Sequence, residues 1–244
     1  MRIESEPALI LHARAYRETS LLLECITRDY GRVGLVARGV RRERSRIPRG
    51  LLQPLQPLLL GWSGNGELAT LTAAEAADGP ITLVGERLYS AIYLNELVLR
   101  LCVRADPHPD LFASYVECLR RLERAEPEAW TLRRFERDLL AGLGYALVLD
   151  RETDTGEPLQ PDADYHYVAD SGPVRGNGPA RERSIQGAAL LALARDEMPQ
   201  PRHSGQLRRL MRMLIRHHLG GADLNAWTMA PPRAPAGKGD APPA

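Results

Sequence analysis

Ser20-Leu21-Leu22-Leu23-Glu24-Cys25-Ile26-Thr27-Arg28-Asp29-Tyr30-Gly31-Arg32-Val33-Gly34-Leu35-Val36-Ala37-Arg38-Gly39-Val40 decides the fold. Leu21–Ile26 is a short apolar run of strand length. Asp29-Tyr30-Gly31 is turn chemistry, because glycine accepts the positive φ that tight hairpins require. Arg32–Val40 alternates around Val33, Leu35 and, after Ala37, Val40, which is the period of a strand with one buried face. Upstream, Ala8–His12 is another apolar run. Downstream, Leu51–Leu60 and Leu68–Leu71 follow, with Ser63-Gly64-Asn65-Gly66 as a second turn. Pro54 and Pro57 predict an irregular or edge strand for the fourth run, since proline cannot donate to a ladder. Five short strands within 80 residues predict a small closed or partly closed barrel.

Beyond Pro80 the period becomes helical. Glu86–Arg104 is apolar around most of its circumference, with Glu96, Arg100 and Arg104 as its polar stripe. This predicts a helix buried on nearly all sides. Asp110 is placed to cap a second helix, with Leu111, Tyr115, Leu119 and Leu122 on one face. A third runs from Pro127 to the Gly142–Gly144 region, with Leu132, Phe135, Leu139 and Leu143 inward. Residues 150–183 lose periodicity and predict a long irregular insertion with one strand at Tyr165–Val168. Ser184 and Ser204 are placed to cap two more helices, ending near Pro199 and at His218, with Gly220 as the residue past the second. The organisation expected is a barrel over residues 1–80, a helical domain over 81–230 and a disordered tail over 231–244, rich in Pro, Ala and Gly.

The chain has 244 residues and a formal net charge of +1. Its length suffices for a core without disulfide or metal staples. The total hides a segregation. Residues 1–50 carry 11 Arg against six acids, a net of +5, and the remainder is −4. A uniformly basic nucleic-acid binder is excluded, but not a locally basic one. Apart from Lys238, every basic side chain is arginine. Cys25, Cys102 and Cys118 are isolated in apolar contexts, which predicts buried thiols, and no CxxC pair points to zinc. No apolar run reaches the length of a membrane span. Residues 1–6 carry acids where a signal peptide needs a basic region, so the expected location is the cytoplasm.

Three features carry candidate function. Residues 28–49 hold eight Arg against Asp29 and Glu43. Arg32, Arg38, Arg41, Arg42, Arg44, Arg46 and Arg49 are the candidate nucleic-acid contacts, because guanidinium forks match phosphate oxygens at any physiological pH. Arg208, Arg212 and Arg216 form an i, i+4, i+8 stripe in an acid-free helix, a second candidate nucleic-acid surface or a set of partners for acids elsewhere in the chain. Arg133, Arg134 and Phe135 lie on an Arg-edged apolar helix face that would suit a short acidic peptide ending in a hydrophobe, or serve only as an amphipathic face. No catalytic constellation emerges. Gly61–Gly66 lacks the Lys-Ser/Thr of a phosphate loop. Asp162, Asp164 and His166 lack a spaced partner that would complete a metal site. His217-His218 fits a helix C-terminus, where imidazolium complements the dipole. No metal or other cofactor is expected.

Tyr16-Arg17-Glu18-Thr19-Ser20, Gly31-Arg32-Val33, Val36-Ala37-Arg38-Gly39, Leu51-Leu52-Gln53-Pro54, Tyr93-Leu94-Asn95-Glu96-Leu97, Leu132-Arg133-Arg134-Phe135-Glu136, Leu143-Gly144-Tyr145 and Leu219-Gly220-Gly221 occur in an order that resembles the RecO family of bacterial DNA-repair proteins. The resemblance spans Leu11 to about Leu224. It implies an α+β chain with a five-stranded OB-type barrel followed by a helical domain. It also implies a non-enzymatic accessory factor of recombination that binds single- and double-stranded DNA and anneals complementary strands. With RecR, such a factor loads RecA onto DNA coated by single-strand-binding protein, whose acidic C-terminal tail it binds in the helical domain. That assigns the tail to the Arg133–Phe135 region. A free monomer, associated with the nucleoid during repair, is the corresponding expectation. Many relatives carry a four-cysteine zinc module matching 150–183. This chain has no cysteine there and resembles the metal-free branch. Two other classes stay open on the residues alone: an RNA-binding OB protein, and a metal-dependent nuclease or phosphatase using Asp162, Asp164 and His166.

Overall fold

The structure, a computed structural model, describes residues 1–64, 66–176 and 184–229. The expected tail at 231–244 lies outside the described residues. Strands β1 (Arg2–Tyr16), β2 (Ser20–Thr27), β3 (Gly31–Ala37), β4 (Leu58–Ser63) and β5 (Leu68–Ala76) close into a barrel in the order β1-β2-β3-β5-β4. All neighbours are antiparallel except β3 and β5, whose parallel pairing runs from Gly34–Leu68 to Val36–Thr70. This is the OB-type topology. β1 serves two partners, pairing with β4 from Arg2 to Ala8 and with β2 from Ala8 to Tyr16, with a register shift in each half. It therefore exceeds the expected Ala8–His12. Its flanks are polar, and ladder pairing rather than an apolar run makes them strand. The fourth strand starts later than expected. Leu51 ends a 3-10 turn (Arg49–Leu51), and Pro54 and Pro57 precede β4.

Ala8–Leu11 is apolar at successive positions because both faces of β1 are covered. Ala8 and Ile10 point into the barrel core with Leu23, Leu35, Leu58 and Leu60. Leu9 and Leu11, with Ile26 of β2, belong to the core of the helical half. That half contains α1 (Glu86–Leu101), α2 (Pro109–Glu123), α3 (Glu128–Gly142), α4 (Gly187–Ala194), α5 (Pro201–His218) and α6 (Ala226–Met229). It also holds a small sheet of β6 (Asp164–Val168), β7 (Gly172–Arg175) and β8 (Ile185–Gln186), in the order β7-β6-β8. The insertion is thus less irregular than its composition suggested. Tyr165, Tyr167 and Ile185 are buried at alternate strand positions among turn residues that mask the period.

Several helix details differ from expectation. α1 leaves Leu88, Tyr89 and Ile92 at 45, 39 and 38% exposure, so it is not enclosed on all sides. Its expected polar stripe is used internally. Glu96 accepts the Asn225 and Ala226 backbone N–H groups at 2.9 and 2.8 Å, capping α6. Arg100 lies 3.7 Å from Glu96, and Arg104, beyond the helix end, pairs with Glu24 of β2. Asp110 lies in the first turn of α2, where its charge complements the dipole, while His108 is the capping position and Pro109 begins the helix. Ser184 and Ser204 are not caps either: α4 starts after Gln186, and α5 starts at Pro201 after Gln200. Gly220 does end α5. At φ +66° its N–H donates to His217 O while Gly221 N–H donates to Arg216 O, closing the last turn.

The halves meet along β1 and β3. Ala105 N–H donates to Arg32 O at 3.0 Å, Arg32 donates to the Leu99 carbonyl near the end of α1, and Asn95 Nδ2 donates to Leu11 O at 2.9 Å. Gly31 makes this approach possible: a Cβ there would lie 2.1 Å from Asp106 O, and its φ is +64°. Among the described residues, no helix is long and apolar enough to cross a membrane.

Candidate nucleic-acid interface

The segment joining β3 to β4 carries the basic cluster. Val40 and Leu52 are buried in the barrel core, and Ile47 and Leu51 pack against it from partly buried positions. The intervening arginines, Arg38, Arg41, Arg42, Arg44, Arg46 and Arg49, are exposed. None forms an ion pair among the described residues. The loop has internal ties as well: Arg42 N–H donates to Gly39 O at 3.0 Å, and Ser45 Oγ to Ile47 O at 2.7 Å. Apolar anchors thus hold the backbone down while the guanidinium groups face water.

This cluster is larger than the sequence reading suggested. Ala37 pairs with Leu21, and Arg41 N–H donates to Thr19 O at 3.0 Å, which sets the loop beside the β1–β2 turn. The end of β1 and that turn add Arg14 and Arg17, both exposed and without ion pairs among the described residues. Arg17 takes φ +53° and sits over the Tyr16 ring, 5.3 Å from its centroid. Glu18 and Glu43 are the exposed acids of the two segments. The sequence signal was Arg14-Ala15-Tyr16-Arg17, three arginine and aromatic positions around a turn, but only the pairing of β2 with β3 shows that it borders the basic loop.

Two arginines of the basic segment serve other purposes. Arg32 is committed to the α1 carboxyl end, not to solvent. Arg28 forks onto Asp29, with bonds of 2.8–3.2 Å, and holds that carboxyl below the usual carboxylate range. The Asp29 N–H donates to Glu6 Oε1 at 2.6 Å, and burial raises the pKa of Glu6. Base-stacking surface is limited. Trp62 is buried in the barrel, edge-on to Tyr30 at 5.4 Å.

The Arg133–Phe135 segment faces inward. Phe135 is 2% exposed and packs 6.0 Å from Tyr115. Arg133 is 8% exposed and pairs with the fully buried Glu136, which also accepts the Tyr93 hydroxyl at 2.6 Å. Burial raises the pKa of Glu136, against the pull of Arg133. Arg134, partly exposed, pairs with Asp196, which Arg137 also approaches at 3.1 Å. Phe135 and Arg133 therefore offer no surface to a peptide. The period that nominated Phe135 is the period of a core face.

Arg208, Arg212 and Arg216 are exposed on α5, as expected. Arg208 has no ion pair among the described residues. Arg212 stacks 4.3 Å from the Trp227 ring centroid, and Arg216 donates to Gly221 O at 2.9 Å and lies 3.5 Å from Asp223. Arg209, Arg212 and Arg216 rim a half-open cleft of about 730 Å³ against the small sheet, with Tyr167, Leu210 and Met213 as its apolar lining. Asp162, Asp164 and His166 do not converge on one another. The three cysteines are free and buried, and burial raises their pKa values, that of Cys102 to about 11.

These features define an OB-type barrel protein whose barrel displays an arginine face without ion pairs among the described residues and whose helical half shares a core with it. The chain matches the family "Recombination protein O N terminal" over residues 1–80 and "Recombination protein O C terminal" over residues 84–228. It is 47% identical over 226 residues to the DNA repair protein RecO of Ralstonia nicotianae, covering 92% of this chain and 82% of that one. It is 49% identical over 228 residues to the Nitrosococcus oceani protein of that name, covering 93% and 92%. With the same-named protein of Xanthomonas oryzae pv. oryzae it shares 46% over 233 residues, covering 94% and 97%. The chain belongs to the RecO family of DNA-repair proteins.

Proposed function

We propose that this chain binds single- and double-stranded DNA through the arginine face of its barrel and anneals complementary strands without enzymatic chemistry. The supporting observation is the set of anchored loop arginines, joined by Arg14 and Arg17, that form no ion pair among the described residues. Phosphates match such guanidinium groups bidentately. Charge neutralisation lowers the repulsion between two strands, so complementary bases can meet. With few aromatics exposed on the barrel, backbone contact rather than stacking supplies the affinity.

In this reading the chain acts in the cytoplasm as an accessory factor. Together with RecR it promotes RecA loading onto DNA coated by single-strand-binding protein. The α5 cleft suits the acidic tail of that coating protein, since an apolar lining with an arginine rim presents what the inward-packed Arg133–Phe135 segment does not. Labelled tail peptide followed by fluorescence anisotropy separates the sites. R209A/R212A should weaken the peptide and spare bare DNA, whereas loss in R134A alone would place the tail at the Asp196 edge.

The test of the main proposal is annealing on coated DNA with wild type and with a chain carrying Arg38, Arg41, Arg42 and Arg44 all replaced by Ala. Unchanged annealing would sink the proposal. Competition between DNA and RNA strands of one sequence tests the RNA-binding alternative, because the 2′-hydroxyl is the discriminating group.

A further inference from the structure

Asp170, His217 and His218 place three ligand atoms within 4.8 Å of one another. They come from two separate elements, the β6–β7 turn and the carboxyl end of α5. His217 Nε2 lies 2.6 Å from Asp170 Oδ2, and His218 Nε2 lies 4.0 Å from Asp170 Oδ1. The two imidazoles thus address different oxygens of one carboxylate. His218 and the turn carrying Asp170 are oriented from outside the cluster. The His218 ring stacks on Tyr145, with centroids 4.1 Å apart and planes 26° apart, and meets the His217 ring edge-on at 79°. Asp170 adopts φ +62°, and the adjacent turn is tied down by Thr153 Oγ1 donating to Ser171 O at 3.0 Å.

We propose that Asp170, His217 and His218 bind one divalent transition-metal ion of the zinc class. A tetrahedral ion holding each ligand at about 2.0 Å would space the ligands by roughly 3.3 Å. The observed separations of 2.6 and 4.0 Å bracket that spacing. Two imidazoles with one carboxylate suit zinc, nickel or copper, and lack the oxygen-rich shell that calcium and magnesium demand. A cleft of about 220 Å³ beside the cluster, lined by Tyr145, Asp170, Ser171 and His218, leaves room for water as the fourth ligand. The ion would fasten the turn of the small sheet to the end of α5. Without it, the same groups make a hydrogen bond between His217 and Asp170.

The whole chain, stripped with chelator, is titrated with Zn²⁺ by calorimetry and with Co²⁺ by visible absorption. One ion per chain is expected, with a rise in Tm on saturation. Asp170→Asn, whose amide still reaches His217, and His218→Gln should each weaken affinity by more than about tenfold. His12→Gln, at an exposed strand position, should leave binding unchanged, and circular dichroism verifies that each variant is folded. Absence of binding at one equivalent overturns the proposal. So does wild-type affinity in D170N and H218Q.

Discussion

Arg104, in the segment that leaves α1, forms an ion pair with Glu24 in the middle of β2, and its second nitrogen donates to the Glu67 carbonyl ahead of β5 at 3.3 Å. One side chain therefore ties the helical half to two parts of the barrel. Glu24 is mostly enclosed, so Arg104→Ala strands a carboxylate. The expected loss is about 1–3 kcal/mol in urea denaturation. The salt dependence of DNA binding should not move, because Arg104 is spent internally. The same reasoning covers Arg32→Ala, which should lower stability and not the phosphate count.

On the arginine face the opposite pattern is expected. Each single substitution among Arg38, Arg41, Arg42, Arg44 or Arg17 should weaken all DNA sequences alike. It should also shrink the log–log salt slope by about 0.9 for duplex and about 0.7 for single strands, where that residue meets a phosphate. Thermal stability should stay within about 0.5 kcal/mol of wild type, as these side chains are exposed and form no ion pair among the described residues. Affinity measured across a salt series tests both expectations.

Glu136 and Arg133 form a buried pair, and removing one member strands the other. Glu136→Leu should cost about 3–5 kcal/mol in chemical denaturation, and Arg133→Met a similar amount. The double variant should recover part of the loss. A double-variant loss equal to the sum of the two single losses would contradict the pairing.

The small sheet supplies a pH signature. Arg175, bonded to Glu152 at 2.8 Å, holds that carboxyl below its ordinary value of 4.5, with help from Thr155. A depressed folded-state pKa gives stability that is complete above about 4.5 and disappears as pH falls toward the folded value. Wild type should therefore exceed Glu152→Gln in Tm at pH 6, and the gap should narrow as pH falls below 4.5. A gap that does not narrow in acid would assign the difference to packing.

The barrel was legible because alternation and turn residues coincide in Ser20–Val40, where one hairpin fixes the direction of everything after it. The ends of β1 were not, because Arg2–Glu6 is strand only through pairing with β4. Helix positions were legible from spacing, but their starts were not. Serine carries the capping signal at Ser184 and Ser204, but a glutamine followed by Gly187 or Pro201 begins the helix. Phe135 shows the deeper limit. Periodicity identifies an apolar face and is silent on whether that face meets the chain's own core or a partner. Arg32 shows the same for charge, since composition counts a guanidinium without saying which carbonyl it has engaged.

Leu9 and Leu11 point one way from β1 while Ala8 and Ile10 point the other. The strand is thus a shared wall, and neither side of it is finished without its neighbour. Cutting the chain near residue 80 would bare Leu9, Leu11 and Ile26 to water, so an excised barrel should self-associate instead of serving as a minimal DNA binder. In the intact chain the wall leaves little slack for hinge motion. A protein gripping the helices would swing the arginine face as a solid body, aiming it at a strand rather than reshaping it.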